Sequence, residues 1–204
     1  MTHLDRSLGI ADRSARGPRV AVLQGHYEVT SNPETVLSTV LGSCVAACLW
    51  DESAGVGGMN HFLLPHARAG ESTDILRYGV HAMELLVNAL LNAGARRSAL
   101  EAKLFGGAQI TEGFSDAGRL NAEFATDFLE REGIAFRGGS LGGRAARRVE
   151  FWAVSGRARQ RTVLEAEVIF DVERRGQPHL PVDAGDLELF SAPQRRTSSP
   201  AGSR

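Results

Sequence analysis

Two cysteines and six histidines supply the chemically versatile side chains of this 204-residue chain, and one of each stands out by its setting. Cys44 follows Gly42-Ser43 in the run Ser38-Thr39-Val40-Leu41-Gly42-Ser43-Cys44-Val45-Ala46-Ala47-Cys48-Leu49-Trp50. His61 lies inside Gly57-Gly58-Met59-Asn60-His61-Phe62-Leu63-Leu64-Pro65. An imidazole beside a thiol can hold it as thiolate, the form that attacks carbonyl carbon. Successive backbone N–H groups at Ser43 and Cys44 can bind the oxyanion that such an attack creates. Ser38 and Thr39 each offer a hydroxyl to orient the imidazole, which would complete a nucleophile–base–orienter set.

Each of these residues has a plainer reading. An arbitrary cysteine is more often a buried structural one, and Cys48, deeper in the apolar run, is read that way. His61 among Met59, Phe62 and Leu63 also suits a satisfied core histidine. On one strand Cys44 and Cys48 would stand roughly 13 Å apart, too far for an intrachain disulfide. No C-x-x-C or H-x-x-x-H spacing accompanies them, so no metal site is expected. Phe105-Gly106-Gly107 either lines a substrate cleft or only turns the chain. Lys103 is the only lysine. Gly138-Gly139 with Gly142-Gly143-Arg144 lacks the G-K-[ST] ending of a phosphate loop. Arg144, Arg147 and Arg148 read as a solvated face, one suited to an acidic protein.

The elements that must position Cys44 and His61 are two short apolar runs joined by Asp51-Glu52-Ser53-Ala54-Gly55, the pattern of a β-hairpin. A turn centred between Glu52 and Ser53 pairs Cys44 directly with His61, with Cβ atoms about 4.5–5.5 Å apart on one face. A slip of two leaves them diagonal, still within reach; a slip of one sends them to opposite faces. Ser38 would share a face with Cys44 on a straight strand, but Gly42 weakens that inference.

Elsewhere, Arg19 to Leu23 is a candidate strand, and Gly25 to Glu34, with Asn32-Pro33, reads as loop and turn. Ser72-Thr73-Asp74 opens a helix whose stripe is Leu76, Val80, Met83, Val87 and Leu90, ended by Gly94. Ser98 to Phe105 is a strand, and a second helix is expected from about Asn121 to Glu132, with Phe124, Phe128 and Leu129 inward. Ile134 to Arg137, Arg148 to Val154 and Thr162 to Val172 are further strands, with glycines breaking between them. The expected architecture is α/β (α+β), a layered sandwich of mixed β-sheet with outer helices. Residues 1–17 form an N-terminal arm, 18–190 the domain, and 191–204 a tail without core-forming residues.

Hydrophobic content of 43% and charged content of 23% are those of an ordinary globular protein. A net charge of −1 gives no drive toward nucleic acid or an acidic membrane surface. No apolar run approaches the ~20 residues that span a bilayer, and residues 1–17 lack the apolar core of a secretory signal. A cytoplasmic protein is expected.

Leu41-Gly42-Ser43-Cys44-Val45 followed by Gly57 to Pro65 resembles the CheD family, the chemoreceptor glutamine deamidases. The likeness continues in Arg77-Tyr78-Gly79, in Ala102-Lys103-Leu104-Phe105-Gly106-Gly107-Ala108 and in Gly138-Gly139…Gly143-Arg144, from about Val20 to Phe170. The resemblance implies a Cys–His–Thr type site, with Cys44 as nucleophile and His61 as base. The hydroxyl matches Ser38, six residues before the nucleophile, with Thr39 as the alternate. Phe105 and Gly106 would border the substrate. The implied reaction converts receptor glutamines to glutamate through a thioester, without metal or organic cofactor, and the same apparatus suits a glutamate methyl ester. Implied partners are methyl-accepting chemotaxis receptors, at whose membrane-bound arrays the protein would work, and a CheC-type phosphatase. A non-catalytic adaptor for receptors or phosphatase, with Cys44 merely buried, is the competing reading.

Overall fold

The computed structural model describes residues 17–65, 72–109 and 116–163, and their side chains except those of 72–76. Its elements in chain order are β1 (Arg19–Ala21), β2 (Tyr27–Thr30), β3 (Val36–Leu41), β4 (Val45–Asp51), β5 (Val56–Asn60) and α1 (Ser72–Asn92). There follow β6 (Glu101–Gly106), α2 (Ala117–Arg131), β7 (Ala135–Leu141), β8 (Ala146–Trp152) and β9 (Arg157–Val163).

The strands make two mixed sheets, one ordered β1-β3-β8-β9 and one ordered β2-β5-β4-β6-β7. The run from Val45 to Trp50 is apolar without a break because β4 is covered on both faces. Val45, Ala47 and Leu49 face the helices, where Met83, Leu86, Val87 and Leu90 of α1 and Phe128 and Leu129 of α2 complete a core. Cys44, Ala46, Cys48 and Trp50 face the four-stranded sheet, meeting Leu37, Leu41, Val149 and Phe151. Burial of each such large apolar side chain stabilises the fold by about 1.5–3 kcal/mol. The layered α+β architecture is therefore as expected, with both helices on the five-stranded sheet.

Several local expectations need correcting. The stretch read as loop from Gly25 to Glu34 contains β2, an edge strand whose Tyr27 and Glu28 are exposed, so no apolar alternation marks it. Val80 is 43% exposed; the helix instead presents Gly79 to the core, and a Cβ there would lie 2.7 Å from both Leu64 Cδ2 and Phe124 Cζ. The second helix begins four residues earlier than read, at Ala117. Gly138-Gly139 does not break β7 but lies within it, where its parallel register with β6 shifts. The last described strand is the arginine-rich β9, an edge that begins five residues before Thr162. The expected strand beyond Val163, the terminal arm through residue 16 and the tail from 191 lie outside the described residues.

Candidate active site

The hairpin forms with Cys48 opposite Met59 and Val45 bridged to Phe62. That register is offset by two from the direct pairing of Cys44 with His61. Parity is kept, so the two become diagonal neighbours on the face between the sheets, Cys44 just before β4 and His61 just after β5. Cys44 is fully buried and His61 only 4% exposed.

The hydroxyl partner comes from the other sheet. Thr39 Oγ1 lies 2.9 Å from His61 Nδ1 and donates to the Val22 carbonyl at 2.8 Å. Because its one proton goes to Val22, Thr39 accepts from Nδ1–H, which leaves Nε2 with its lone pair. Nε2 is buried and has no hydrogen-bond partner among the described residues. Burial pushes the His61 pKa down to about 4, with the Val22 carbonyl pulling weakly the other way. The result is a neutral imidazole with a fixed tautomer and an unused acceptor, the state a general base needs.

Ser38 does not meet the imidazole. It precedes Thr39 on β3 and so faces away from the inter-sheet space, between Ala21 and Glu150 on the neighbouring strands. Ser38 is matched by its spacing of six residues before Cys44, and face alternation, already weakened by Gly42, does not support it. The chain leaves one sheet and enters the other across Gly42–Cys44, so alternation is not transmitted.

Phe105 and Gly106 sit behind the thiol's backbone. Gly106 has φ +108°, and a Cβ on it would lie 2.1 Å from the Cys44 carbonyl oxygen. Gly107 N–H donates to that oxygen at 2.8 Å, and Ala108 N–H donates to the Gly42 carbonyl at 2.8 Å. Phe105 is buried in the inter-sheet core. These residues hold the bend that carries Ser43 and Cys44, rather than lining an open cleft. Cys48 is buried beside Trp50, and desolvation pushes its thiol pKa far above the usual range, with Lys103 opposing weakly. It is an inert core residue, as expected.

Seen against known proteins, an alignment 180 positions long, covering 84% of this chain, shows 55% identity to the probable chemoreceptor glutamine deamidase CheD of Acidiphilium cryptum and spans 93% of that protein. The chain belongs to the CheD family. Proteins of the same name from Caulobacter vibrioides and Rhizobium etli are each 52% identical, over 88% and 89% of this chain and 97% and 100% of theirs. The family model described as CheD chemotactic sensory transduction matches residues 63–162, beginning two residues after His61. A Neisseria meningitidis protein of the DUF152 family model aligns at 12% identity over 63% of this chain and 64% of its own, with a TM-score of 0.40, too distant to bear on function.

Within this CheD-family site, two side chains were not foreseen from the sequence. Asn121 of α2 is fully buried; its Nδ2 donates to the Ser43 carbonyl at 3.0 Å and its Oδ1 accepts from Leu64 N–H at 2.8 Å. One amide thus ties the residue before Cys44 to the segment after His61. A polar residue in the inward face of an amphipathic helix is the signal that marks it. The other is Gln24, in the β1–β2 connection, whose Oε1 lies 3.6 Å from Cys44 Sγ. Its loop position gives no signal in the sequence. Arg147 of the expected arginine face is turned inward, 7% exposed, and donates to the Ser140 carbonyl at 2.8 Å and to the Gly142 carbonyl.

Proposed function

We propose that this chain is a protein-glutamine deamidase acting on methyl-accepting chemotaxis receptors, with Cys44 as nucleophile, His61 as general base and Thr39 as the group that orients His61. The family kinship, at 55% identity to a protein named a probable chemoreceptor glutamine deamidase, carries the activity. The Nε2 of a neutral, Thr39-anchored His61, without a hydrogen-bond partner among the described residues, supports the assignment of roles.

In this reading His61 Nε2 takes the Cys44 proton, and the thiolate attacks the carboxamide carbon of a receptor glutamine. Backbone N–H groups at Ser43–Cys44 bear the oxyanion. Collapse of the tetrahedral intermediate breaks the C–N bond, and the imidazolium proton leaves with ammonia. Water, deprotonated by His61, then cleaves the thioester to give glutamate and restore the thiol. A glutamate methyl ester would follow the same path with methanol as leaving group.

The site of action follows from the substrate: the cytoplasmic helical bundle of membrane-bound receptors. No helix among the described residues is long and apolar enough to cross a membrane. A CheC-type phosphatase is the regulatory partner that the family suggests, testable by co-purification.

The deciding experiment is mass spectrometry of a receptor cytoplasmic fragment after incubation. Each modified glutamine gains about one dalton, as amide-to-acid hydrolysis requires. Deamidation that persists undiminished in Cys44→Ala overturns the role given to Cys44. Normal receptor binding without any deamidation by the native protein would instead support the adaptor reading.

A further inference from the structure

The mechanism needs a substrate carboxamide at Cys44 Sγ, yet Cys44 has no exposed surface. A carboxamide already sits there. Gln24 is half-buried, with its Oε1 3.6 Å from Sγ. The amide presents its oxygen to the sulfur as a hydrogen-bond acceptor; attack would require its carbon. Sγ is thus placed to donate its proton to Gln24, and His61 Nε2 has no hydrogen-bond partner among the described residues.

The segment bearing Gln24 is fastened to the rest of the site by its backbone. Gly25 N–H donates to the His61 carbonyl at 2.7 Å, and His61 N–H donates to the His26 carbonyl at 3.0 Å. On its other side the Val22 carbonyl accepts from Thr39. With the main chain held at both flanks, the side chain is the part of Gln24 free to rotate away from the sulfur.

Building on the nucleophile role of Cys44, we propose that Gln24 is an internal stand-in for the substrate glutamine. It holds the thiol protonated and covered until a substrate carboxamide displaces it and the thiol proton passes to His61 Nε2. A thiol can donate to the amide oxygen, whereas a thiolate meets only its lone pairs. The contact therefore favours the protonated form and raises the pKa of Cys44. The same placement selects for the substrate class, since the position fits a neutral primary carboxamide and a carboxylate there would face a forming thiolate.

The test is the pH dependence of Cys44 alkylation, read by peptide mass mapping, in the native protein, Gln24→Ala, Gln24→Met and Gln24→Glu. Removing the acceptor in Gln24→Ala should move the midpoint down by about one pH unit and raise the rate at neutral pH about tenfold. Gln24→Met, which keeps the cover without a strong acceptor, should show the lower midpoint with a smaller gain in rate. Gln24→Glu should move the midpoint upward. With receptor fragment as substrate, Gln24→Ala should lower KM severalfold at unchanged kcat. A midpoint that stays put or rises in Gln24→Ala overturns the proposal, because the amide nitrogen would then be the group facing sulfur. A fall in kcat at unchanged KM also overturns it, making Gln24 an aid to the transition state. Conversion of Gln24 to glutamate in the native protein but not in Cys44→Ala would show it to be a substrate instead. Failure of the native protein to deamidate any receptor fragment strikes at the activity and leaves the alkylation result to judge Gln24.

Discussion

Thr39 Oγ1 stands 2.9 Å from His61 Nδ1, a contact between a strand of one sheet and the end of a hairpin in the other. It fixes which imidazole nitrogen is free, and so whether His61 can act on Cys44 at all.

Thr39→Val should therefore lower kcat roughly 10²-fold, the lower end of what general-base catalysis contributes. Thr39→Ser should keep most of the activity, since it restores the hydroxyl. Ser38→Ala, on the opposite face, should leave kcat within a factor of two or so of native, the small effect expected of a residue outside the site. Steady-state deamidation kinetics on a receptor fragment decide among these.

His61 makes stability depend on pH with a definite sign. Its pKa is about 4 when folded, against a usual value of 6.5. Below pH 6.5 the unfolded chain takes up a proton that the folded one refuses until about pH 4. Stability is thus whole above 6.5 and falls as the pH drops through that window, by on the order of 3 kcal/mol. Urea denaturation at intervals from pH 7 to 4 should show the loss. In His61→Asn the same curve should be distinctly flatter.

Asn121 satisfies two buried backbone groups at once. Replacing it by Ala leaves the Ser43 carbonyl and Leu64 N–H without that partner, at about 1–3 kcal/mol for each. Denaturant midpoints should fall accordingly. The fraction that remains folded should also turn over more slowly, because the Ser43–Cys44 bend loses its tether to α2.

Gly106 admits no side chain. An added methyl would meet the Cys44 carbonyl oxygen at 2.1 Å, and φ of +108° is itself unfavourable for an L-residue. Gly106→Ala should lose far more stability than the roughly 0.5 kcal/mol within which surface changes usually fall, and should displace Cys44. Gly138→Ala is the control: it shares a positive φ, +93°, but has nothing within 4 Å of the added carbon. A clear excess loss in Gly106→Ala over Gly138→Ala, by thermal melting, isolates the backbone clash.

The sequence by itself marked out the hairpin but left its register open, and the structure chose the one offset by two from direct pairing of Cys44 with His61. Apolar runs on either side of Asp51–Gly55 leave few registers, and any even offset keeps Cys44 and His61 on one face. The periodicity of α1 likewise announced a helix and most of its buried stripe, Met83, Val87 and Leu90. Strands with little apolar pattern escaped, because β2 and β9 lie at sheet edges and owe their place to partners. Only the tertiary structure set Thr39 rather than Ser38 against His61, set Asn121 between Ser43 and Leu64, and laid Gln24 beside the thiol. Each of those contacts joins residues at least 17 positions apart, across layers whose relative placement comes from core packing. Local propensity carries no information about that placement.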